Sequence, residues 1–416
     1  MRQAPMWKLS ALAFSVLAFL PPALADDARH PFATTHTAFA PGTLRPSMAQ
    51  AEIDRVTADF YDQWKQLYVI DGCVPGQKRI RMEAGKIWSV SEGQGYGMVI
   101  VARMAGHDPE ARTLFDRLFH YARRHRSDFD RMLMAWAQNE HCQDVEGRDS
   151  ATDGDLDIAY ALLLADAQWG STGAINYRQE AERTLTAIAK HTIDDATGLT
   201  LLGDWVAPDG AYAHATRTSD WMIDHFRAFA AVDPTTWNRA VDAHLDLALK
   251  LQEQFAPKTG LLPDFVTDSS EAPRPAPPHF LEDETDGDYA WNACRTPWRL
   301  GSDAVMSRDP RAVKAVRRMT EWIRLATGGD PKKIGESYHL DGGVIDPAES
   351  MAYVAPFAVA AMSGAPDPDR AQRWLDALWS EVVSTPADGY YSDSIKLQAM
   401  LTIGGHWWSP TEAPMP

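Results

Sequence analysis

The chain has 416 residues, of which 45% are hydrophobic, and its formal net charge is −17 at pH 7. This apolar fraction supports a sizeable buried core, while the acidic balance argues against nucleic acid and anionic membrane surfaces as partners. The 15 tryptophans and 12 tyrosines are unusually many, and aromatic rings outside a core can stack on the faces of sugars.

The first 25 residues predict an export signal. A positively charged start precedes an apolar run over 9–20, which is too short to span a bilayer, and the small-residue cleavage site Ala23-Leu24-Ala25 follows it. We expect the mature protein to begin near Asp26 and to be secreted or periplasmic. No later segment predicts a membrane-spanning helix, so no membrane association is expected after cleavage; the alternative is that the segment is retained as an N-terminal anchor.

Apolar residues recur at helical spacing along most of the remaining chain. Over 53–67 they return every three or four residues, as one buried face of a helix requires. About twelve helices with no linker between them favour an all-α fold, in which 26–416 form one domain of six helical hairpins closed into an (α/α)6 barrel. An open helical solenoid would have the same periodicity. The further predicted helices span 96–106, 110–124, 156–169, 176–190, 218–231, 235–255, 293–306, 310–326, 350–362, 367–383 and 391–404.

One long irregular segment interrupts this pattern, and three cysteines are scattered outside it. Between Gly260 and Asp288 the chain is rich in proline and acidic residues, and a loop this long in a compact domain is usually functional or disordered. Cys73 and Cys142 flank loop-like sequence and are candidates for a disulfide, whereas we expect Cys294 to be buried and reduced. The cysteine spacing is not that of a zinc site.

Glu92 lies in the segment 91–98, which reads SEGQGYGM and precedes an apolar run that predicts a buried helix. The three glycines allow the backbone to pass close to a bulky ligand. A carboxyl in this setting is partly desolvated, which raises its pKa and suits it to donate a proton near neutrality. The alternative is a glycine-rich turn with an incidental glutamate.

A second motif, ATDGDLDIAYA over 151–161, opens another predicted helix. Thr152 or Asp153 can cap that helix, and acidic residues are favourable in its first turn. Two carboxylates, those of Asp153 and Asp155, lie two positions apart across a glycine, which is more than a helix cap requires. They indicate a polar ligand above the helix. Calcium is the rival explanation, but the segment lacks the oxygen-ligand loop of an EF-hand.

Three further motifs begin helices with dense polar groups. In YAWNACRTPWR, over 289–299, Arg295 and Arg299 share one helical face. The alternative is an ordinary helix start with a salt bridge. In TSDWMIDHFR, over 218–227, His225 has no second histidine at zinc-like spacing and is expected to be structural. No metal site is therefore predicted. The fifth motif, YYSDS, opens the last helix.

Together the five motifs resemble those of glycoside hydrolase family 8, the inverting endo-β-glycanases. The resemblance covers nearly the whole mature chain. The segment 91–98 is similar to the family's general-acid motif and 151–169 to its most distinctive signature, and 292–299 and 391–394 match as well. The resemblance implies an (α/α)6 barrel with a substrate cleft at one end, a polysaccharide substrate and no cofactor. We expect a monomer.

Carried over by position, the resemblance implies that Glu92 is the general acid. It also implies that Asp153 holds the sugar at the cleavage point and favours its distorted ring. Many family members have their general base, an aspartate, where this chain has Asn292, and an amide cannot take a proton from water. One branch carries the same asparagine and takes its base from a glutamate in an inserted loop.

This chain has that insertion, and it contains FLEDE over 280–284. The Phe-Leu-Glu triplet resembles the base motif of the asparagine-bearing branch, so Glu282 is the predicted base and Glu284 the second choice. Arg295 would lie beside the water or its carboxylate, where a cation keeps a base ionised. Asn292 and Arg295 are expected to contact substrate. Candidate sugar platforms, each of which could equally pack in the core, are Trp136, Trp205, Trp291 and Tyr391.

The predicted reaction is inverting hydrolysis of β-1,4 linkages in β-glucan, either cellulose-like or mixed-linkage. Chitosan is the close alternative, because Asp264, Asp268 and Glu271 could pair with glucosamine amines, and xylan is the third. Two other classes remain: a carbohydrate-binding barrel without catalysis, since the common base is missing, and a sugar isomerase or epimerase. The second usually needs paired histidines and remains in the cytoplasm, which the export signal opposes.

Overall fold

The computed structural model describes residues 28–411, so the predicted export signal lies outside the described residues. Within this range the chain forms twelve α-helices, as the periodicity predicted, together with 3-10 turns at Thr218–Asp220, Ala293–Arg295 and Pro331–Lys333. The helices are α1 Gln50–Tyr68, α2 Ser91–Arg103, α3 Ala111–Arg124, α4 Thr152–Trp169, α5 Tyr177–His191, α6 Ile223–Phe229, α7 Pro234–Gln254, α8 Thr296–Met306, α9 Pro310–Ala326, α10 Met351–Ala361, α11 Pro368–Ser384 and α12 Tyr390–Ile403.

The six even-numbered helices form a closed inner ring. Each packs against the next, from α2 to α4 and onward to α12, and α12 returns to contact α2. Each odd-numbered helix packs outside the ring, on the even-numbered helix that precedes it in the chain, and α1 packs on α12. This contact order is that of an (α/α)6 barrel and excludes the open solenoid.

The inner and outer helices differ in sequence because they differ in exposure. The inner helix α10 reads MAYVAPFAVAA, and every one of its residues is buried. The outer helix α3 buries one stripe, which includes Leu114, Phe115 and Leu118, and exposes its charged side. Helices that are apolar all round belong in a core, whereas amphipathic helices cover it.

Several helices have different ends from those predicted, and two of the differences affect the motifs. The predicted helix over 96–106 starts earlier, at Ser91, so Glu92 lies in the first turn of α2 and not in a loop before it. The predicted helix over 218–231 is split into the 3-10 turn Thr218–Asp220 and the short helix α6. Sequence periodicity locates helices well, but their ends depend on contacts that periodicity does not contain.

The sequence predicted that the glycines of the 91–98 motif let the backbone pass close to a ligand, whereas in the structure they allow neighbouring helices to pack closely. A Cβ on Gly95 would lie 2.7 Å from the Asp157 Cβ, and one on Gly93 would lie 2.6 Å from the Tyr390 hydroxyl. On α4, a Cβ on Gly154 would lie 2.6 Å from the backbone carbon of Ser91. Helices α2 and α4 therefore touch at their first turns.

Short antiparallel strands lie at the end of the barrel where the inner helices begin. The strands are β1 Val69–Asp71, β2 Lys78–Ile80, β3 Ser89–Val90, β4 Ala137–Gln138, β5 Thr216–Arg217, β6 Phe265–Thr267, β7 Arg274–Pro275, β8 Ser337–Tyr338 and β9 Val344–Asp346. The central sheet, in the order β5–β6–β7, joins the segment before α6 to the proline-rich segment after α7, with Arg217 opposite Phe265.

None of the helices within 28–411 has both the length and the apolar character that a bilayer crossing requires.

The candidate disulfide is present. Cys73 and Cys142 are bonded, with their Cα atoms 6.0 Å apart, and the bond joins the β1–β2 turn to the loop after β4. Cys294 is free and buried, as expected. The bond closes a segment with a sequence separation of 69 residues, which restricts the unfolded chain.

We therefore expect the double substitution Cys73→Ser with Cys142→Ser to lower the free energy of unfolding by up to about 4 kcal/mol, the loop-closure value for a segment of this length. Thermal unfolding followed by circular dichroism would measure the loss. Wild-type protein treated with a reductant should match the double variant, and the reductant should leave the variant unchanged. An unchanged melting temperature in both cases would contradict the expectation.

Candidate active site

A cavity of about 540 Å³ opens at the end of the barrel where the inner helices start. The predicted site residues other than Trp291 and Glu284 line it. They come from the first turns of α2, α4 and α12, from the 3-10 turn before α8, and from the loops between. Residues far apart in sequence therefore meet at one end of the ring, where the positive ends of helix dipoles favour carboxylates.

Glu92 lies on the wall of this cavity, in the first turn of α2. Its Oε1 accepts a hydrogen bond of 3.0 Å from the Tyr390 hydroxyl, and its Oε2 accepts one of 2.7 Å from Arg295 Nη1. Burial raises the pKa of Glu92 above its ordinary value, while the Arg295 guanidinium opposes that rise and Asp153 adds to it. The carboxyl is thus suited to carry a proton at a higher pH than a surface glutamate.

Arg295 is the centre of the polar network. Its Nη1 donates to Glu92, to Asp153 Oδ2 at 3.0 Å and to the Tyr96 hydroxyl oxygen at 3.2 Å. Its Nη2 donates to Asn292 Oδ1 at 2.9 Å, and the side chain is only 2% exposed. The sequence predicted this arginine beside the base, whereas it directly contacts Glu92 and Asp153.

Glu282 faces the same cavity from the proline-rich segment. Its Oε2 accepts a hydrogen bond of 2.7 Å from Asn292 Nδ2, and its Oε1 lies 3.3 Å from Arg217 Nη2. The cation beside Glu282 is therefore Arg217, which the sequence analysis missed although it directly precedes the 218–227 motif. Glu284 is exposed and does not line the cavity.

The turn that carries Glu282 is held by a buried carboxylate. Asp286 accepts hydrogen bonds from the backbone amides of Leu281 at 2.7 Å, Glu282 at 3.0 Å and Asp283 at 3.0 Å. The carboxylate thus does for this turn what a capping residue does for a helix. The long segment is consequently ordered at the point where it meets the cavity.

Asp264 is a second buried carboxylate of this segment, and it supports Asn292. Its Oδ1 accepts from the backbone amides of Ala290 and Ala293, at 3.0 and 2.6 Å, and its Oδ2 lies 3.5 Å from Asn292 Nδ2. Burial raises the pKa of Asp264 to about 7. Its suggested contact with a glucosamine amine is wrong, because the side chain is buried and already engaged.

The other suggested amine partners also lie outside the cavity. Asp268 forms an ion pair of 2.5 Å with Arg274, and Glu271 is exposed on the same segment. The additional acidic residues that do line the cavity are Glu146 and Asp149. They follow β4 in a loop that carries none of the five motifs, so no sequence motif indicated them.

Aromatic side chains form part of the cavity wall. Trp136, Trp205 and Tyr391 line it and are partly exposed, while Trp205 and Tyr391 also pack against buried apolar side chains. Trp291 lies at the rim, 41% exposed, with its ring 5.9 Å from that of Tyr391. The Tyr391 hydroxyl also donates to the Trp291 carbonyl oxygen, which fixes the two residues together.

The acidic residues of the 151–161 motif have different surroundings. Asp153 reaches the cavity, but Asp155 is buried in the core, where it accepts a hydrogen bond from the Met134 backbone amide. Asp157 lies below, where Arg299 at 2.7 Å and His225 at 2.9 Å satisfy its carboxylate. The expectation of a ligand above this helix therefore applies to Asp153 alone, and the structural role of His225 is confirmed.

Comparison with known proteins decides the family. A sequence model of the glycosyl hydrolases family 8 matches residues 44–405. The chain belongs to glycosyl hydrolase family 8. The predicted resemblance is confirmed, and the protein is a glycoside hydrolase built on an (α/α)6 barrel.

Individual relatives of this family 8 hydrolase cover most of its length. A β-glucanase from Niallia circulans is 39% identical over 376 residues, which are 90% of each chain. An endoglucanase from Bacillus sp. (strain KSM-330) is 36% identical over 381 residues, 89% of this chain and 80% of the relative. The solved apo structure of a β-1,3-1,4-glucanase from Paenibacillus sp. X4 superposes with a TM-score of 0.88. It is 39% identical and covers 92% of this chain and all 100% of its own.

Proposed function

We propose that this family 8 hydrolase is an endo-acting β-glucanase that cleaves β-1,4 linkages in cellulose-like or mixed-linkage β-glucan, with inversion of configuration. The observation that carries the proposal is a continuous set of contacts across one cavity, from Glu92 through Arg295 and Asn292 to Glu282. The relatives named as β-glucanase, endoglucanase and β-1,3-1,4-glucanase support the substrate class.

In the proposed reaction, Glu92 protonates the glycosidic oxygen as it leaves. The raised pKa of Glu92, caused first by burial, supports this role because a general acid must hold its proton at the working pH. The adjacent Asp153 adds a negative charge that disfavours ionisation of Glu92. A sugar that fills the cavity would displace water and strengthen both effects.

Glu282 is the proposed base, which takes a proton from water on the opposite face of the sugar. The Asn292 amide donates a hydrogen bond to one carboxylate oxygen of Glu282, and the Arg217 guanidinium lies against the other, so both oxygens have a partner that holds the carboxylate in the cavity. Asn292 would then orient the base in this chain instead of serving as one. Inverting enzymes leave roughly 6.5–9.5 Å between the two carboxyls, so that a water fits beside the sugar.

The other proposed roles follow the shape and charge of the cavity. Asp153, fixed by Arg295, is suited to hold the sugar at the cleavage point in a distorted, oxocarbenium-like ring. Trp136, Trp205 and Tyr391 offer flat apolar faces to pyranose C–H groups, with Trp291 as a further platform at the rim. Because a polysaccharide does not enter cells, export with cleavage before Asp26 belongs to the same proposal.

Chitosan is the second candidate substrate, and the charge of the cavity favours it. Five carboxyl side chains line the cavity against two arginines, Arg217 and Arg295, and four of them remain as negative charges when Glu92 holds its proton. The carboxylates are Glu92, Glu146, Asp149, Asp153 and Glu282. An excess of negative charge attracts a cationic glucosamine polymer, whereas a neutral glucan gains nothing from it. Burial raises the pKa of Asp149, which reduces that excess towards acidic pH.

A substrate panel tests the proposed function. We expect reducing-sugar release to be highest on lichenan or carboxymethyl cellulose, lower on chitosan and lowest on xylan. Activity on chitosan alone would transfer the assignment to the second candidate. If no polymer is cleaved although one of them binds, the chain is a carbohydrate-binding barrel and the hydrolytic proposal is wrong.

The two loop glutamates provide a matched pair for the base. We expect Glu282→Gln to lower kcat by about 10²- to 10⁴-fold, the usual contribution of a general base. Glu284→Gln, two residues along the same loop and exposed, should retain at least half of the wild-type kcat. Circular dichroism checks that both variants fold. Equal activity of the two variants would remove Glu282 from the mechanism.

The pH profile tests the acid. Tyr390→Phe removes a hydrogen bond that favours ionised Glu92, so the pKa of Glu92 should rise. Because the acid then keeps its proton to higher pH, the alkaline limb of kcat/KM should move upward by about half a pH unit to one unit. Tyr177→Phe, which loses a bond to Asp116 outside the cavity, should leave the limb in place. A downward shift for Tyr390→Phe would contradict the assignment.

A further inference from the structure

A cluster of two histidines and one aspartate lies outside the cavity. His406 Nε2 is 2.9 Å from Asp54 Oδ1, and His36 Nε2 is 3.6 Å from Asp54 Oδ2. With one donor atom taken from each residue, the three atoms all lie within 4.8 Å of one another. His36 and Asp54 lie near the start of the chain and His406 lies near its end, so no sequence motif could have revealed the cluster.

The donor set is one that zinc prefers. Imidazole nitrogen and carboxylate oxygen bind zinc at about 2.0–2.1 Å, and two such donors on one tetrahedral ion lie about 3.3 Å apart. The two histidine nitrogens lie 2.9 and 3.6 Å from different oxygens of Asp54, on either side of that value, and one donor atom from each residue lies within 4.8 Å of the others. His36 Nε2 is also a buried atom without a hydrogen-bond partner among the described residues, so a cation bound there would displace no existing hydrogen bond.

The surroundings leave room for a fourth ligand. The side chains of His36 and Asp54 are 30% and 13% exposed, so a water molecule can reach the remaining position of a tetrahedral ion. On the protein side, Gln50 Nε2 donates to Asp54 Oδ1 at 2.6 Å. That hydrogen bond orients the carboxylate in the way that outer partners commonly orient metal ligands.

The cluster lies at the opposite end of the barrel from the cavity. Tyr390 begins α12 at the cavity, and His406 follows the other end of that helix, whose 14 residues span about 20 Å. His36 precedes α1, Asp54 lies within it, and the Thr37 amide donates to the Gly405 carbonyl oxygen at 2.6 Å. The cluster therefore connects both ends of the described chain to one outer helix.

We infer that His36, Asp54 and His406 bind one zinc ion, which fastens the two chain ends to α1 and stabilises the barrel without taking part in hydrolysis. The alternative is that a proton, and not a metal ion, lies between the histidines and Asp54, in which case the cluster is an ordinary histidine–aspartate ion pair. Only a bound metal ion makes the stability of the protein depend on zinc concentration.

Chelator-treated protein titrated with zinc chloride tests the inference. Calorimetric titration should give one bound ion per chain, and zinc at about one hundred times its Kd should raise the melting temperature by about 3 °C. His36→Ala and Asp54→Asn should abolish both effects, while kcat on the preferred polymer stays unchanged in wild type with and without chelator.

His107→Ala is the matched control. The side chain of His107 is also 30% exposed, and its Nε2 lies 3.1 Å from Asp62 of α1, the helix that also carries Asp54. No second histidine joins this pair among the described residues. It should keep the zinc response of wild type. Absence of zinc binding to wild type would overturn the inference, and so would an equal zinc response in His36→Ala, which would locate the ion elsewhere.

Discussion

The buried guanidinium of Arg295 is the interaction on which the site depends. A cation taken out of water is tolerated only where partners replace its hydration, and truncating one partner of such a group is costly. Arg295 obtains its partners from three separate elements: Glu92 on α2, Asp153 on α4 and Asn292 beside its own 3-10 turn. The need to satisfy one charge therefore fixes the relative positions of the Glu92 and Asp153 carboxylates.

The barrel makes this arrangement possible. Helices α2 and α4 approach closely at their first turns because Gly95 and Gly154 carry no Cβ, and Glu92 and Asp153 then reach the same guanidinium. On the far wall, the sheet β5–β6–β7 and the Asp286 turn bring Arg217 and Glu282 to the same cavity. The rigid ring supplies one half of the site, and an ordered loop supplies the other.

The sequence alone predicted those features that depend on residues close to one another in the chain. Apolar periodicity gave the twelve helices, and the spacing of glycines, carboxylates and arginines marked four of the segments that meet at the cavity. It could not find Arg217, Glu146 or Asp149, because strand pairing and loop paths bring them there. For the same reason it gave Asp264 a contact with substrate, whereas in the folded chain that carboxylate is enclosed by the backbone amides of Ala290 and Ala293.

In the proposed mechanism, an acid and a water-activating base act on opposite faces of one sugar. Proton NMR of the anomeric signals during the first turnovers on a soluble β-glucan, before mutarotation mixes them, would reveal the stereochemistry directly. The new reducing end should appear first as the α-anomer. A β-anomer formed first would mean retention of configuration and would contradict the roles given to Glu92 and Glu282.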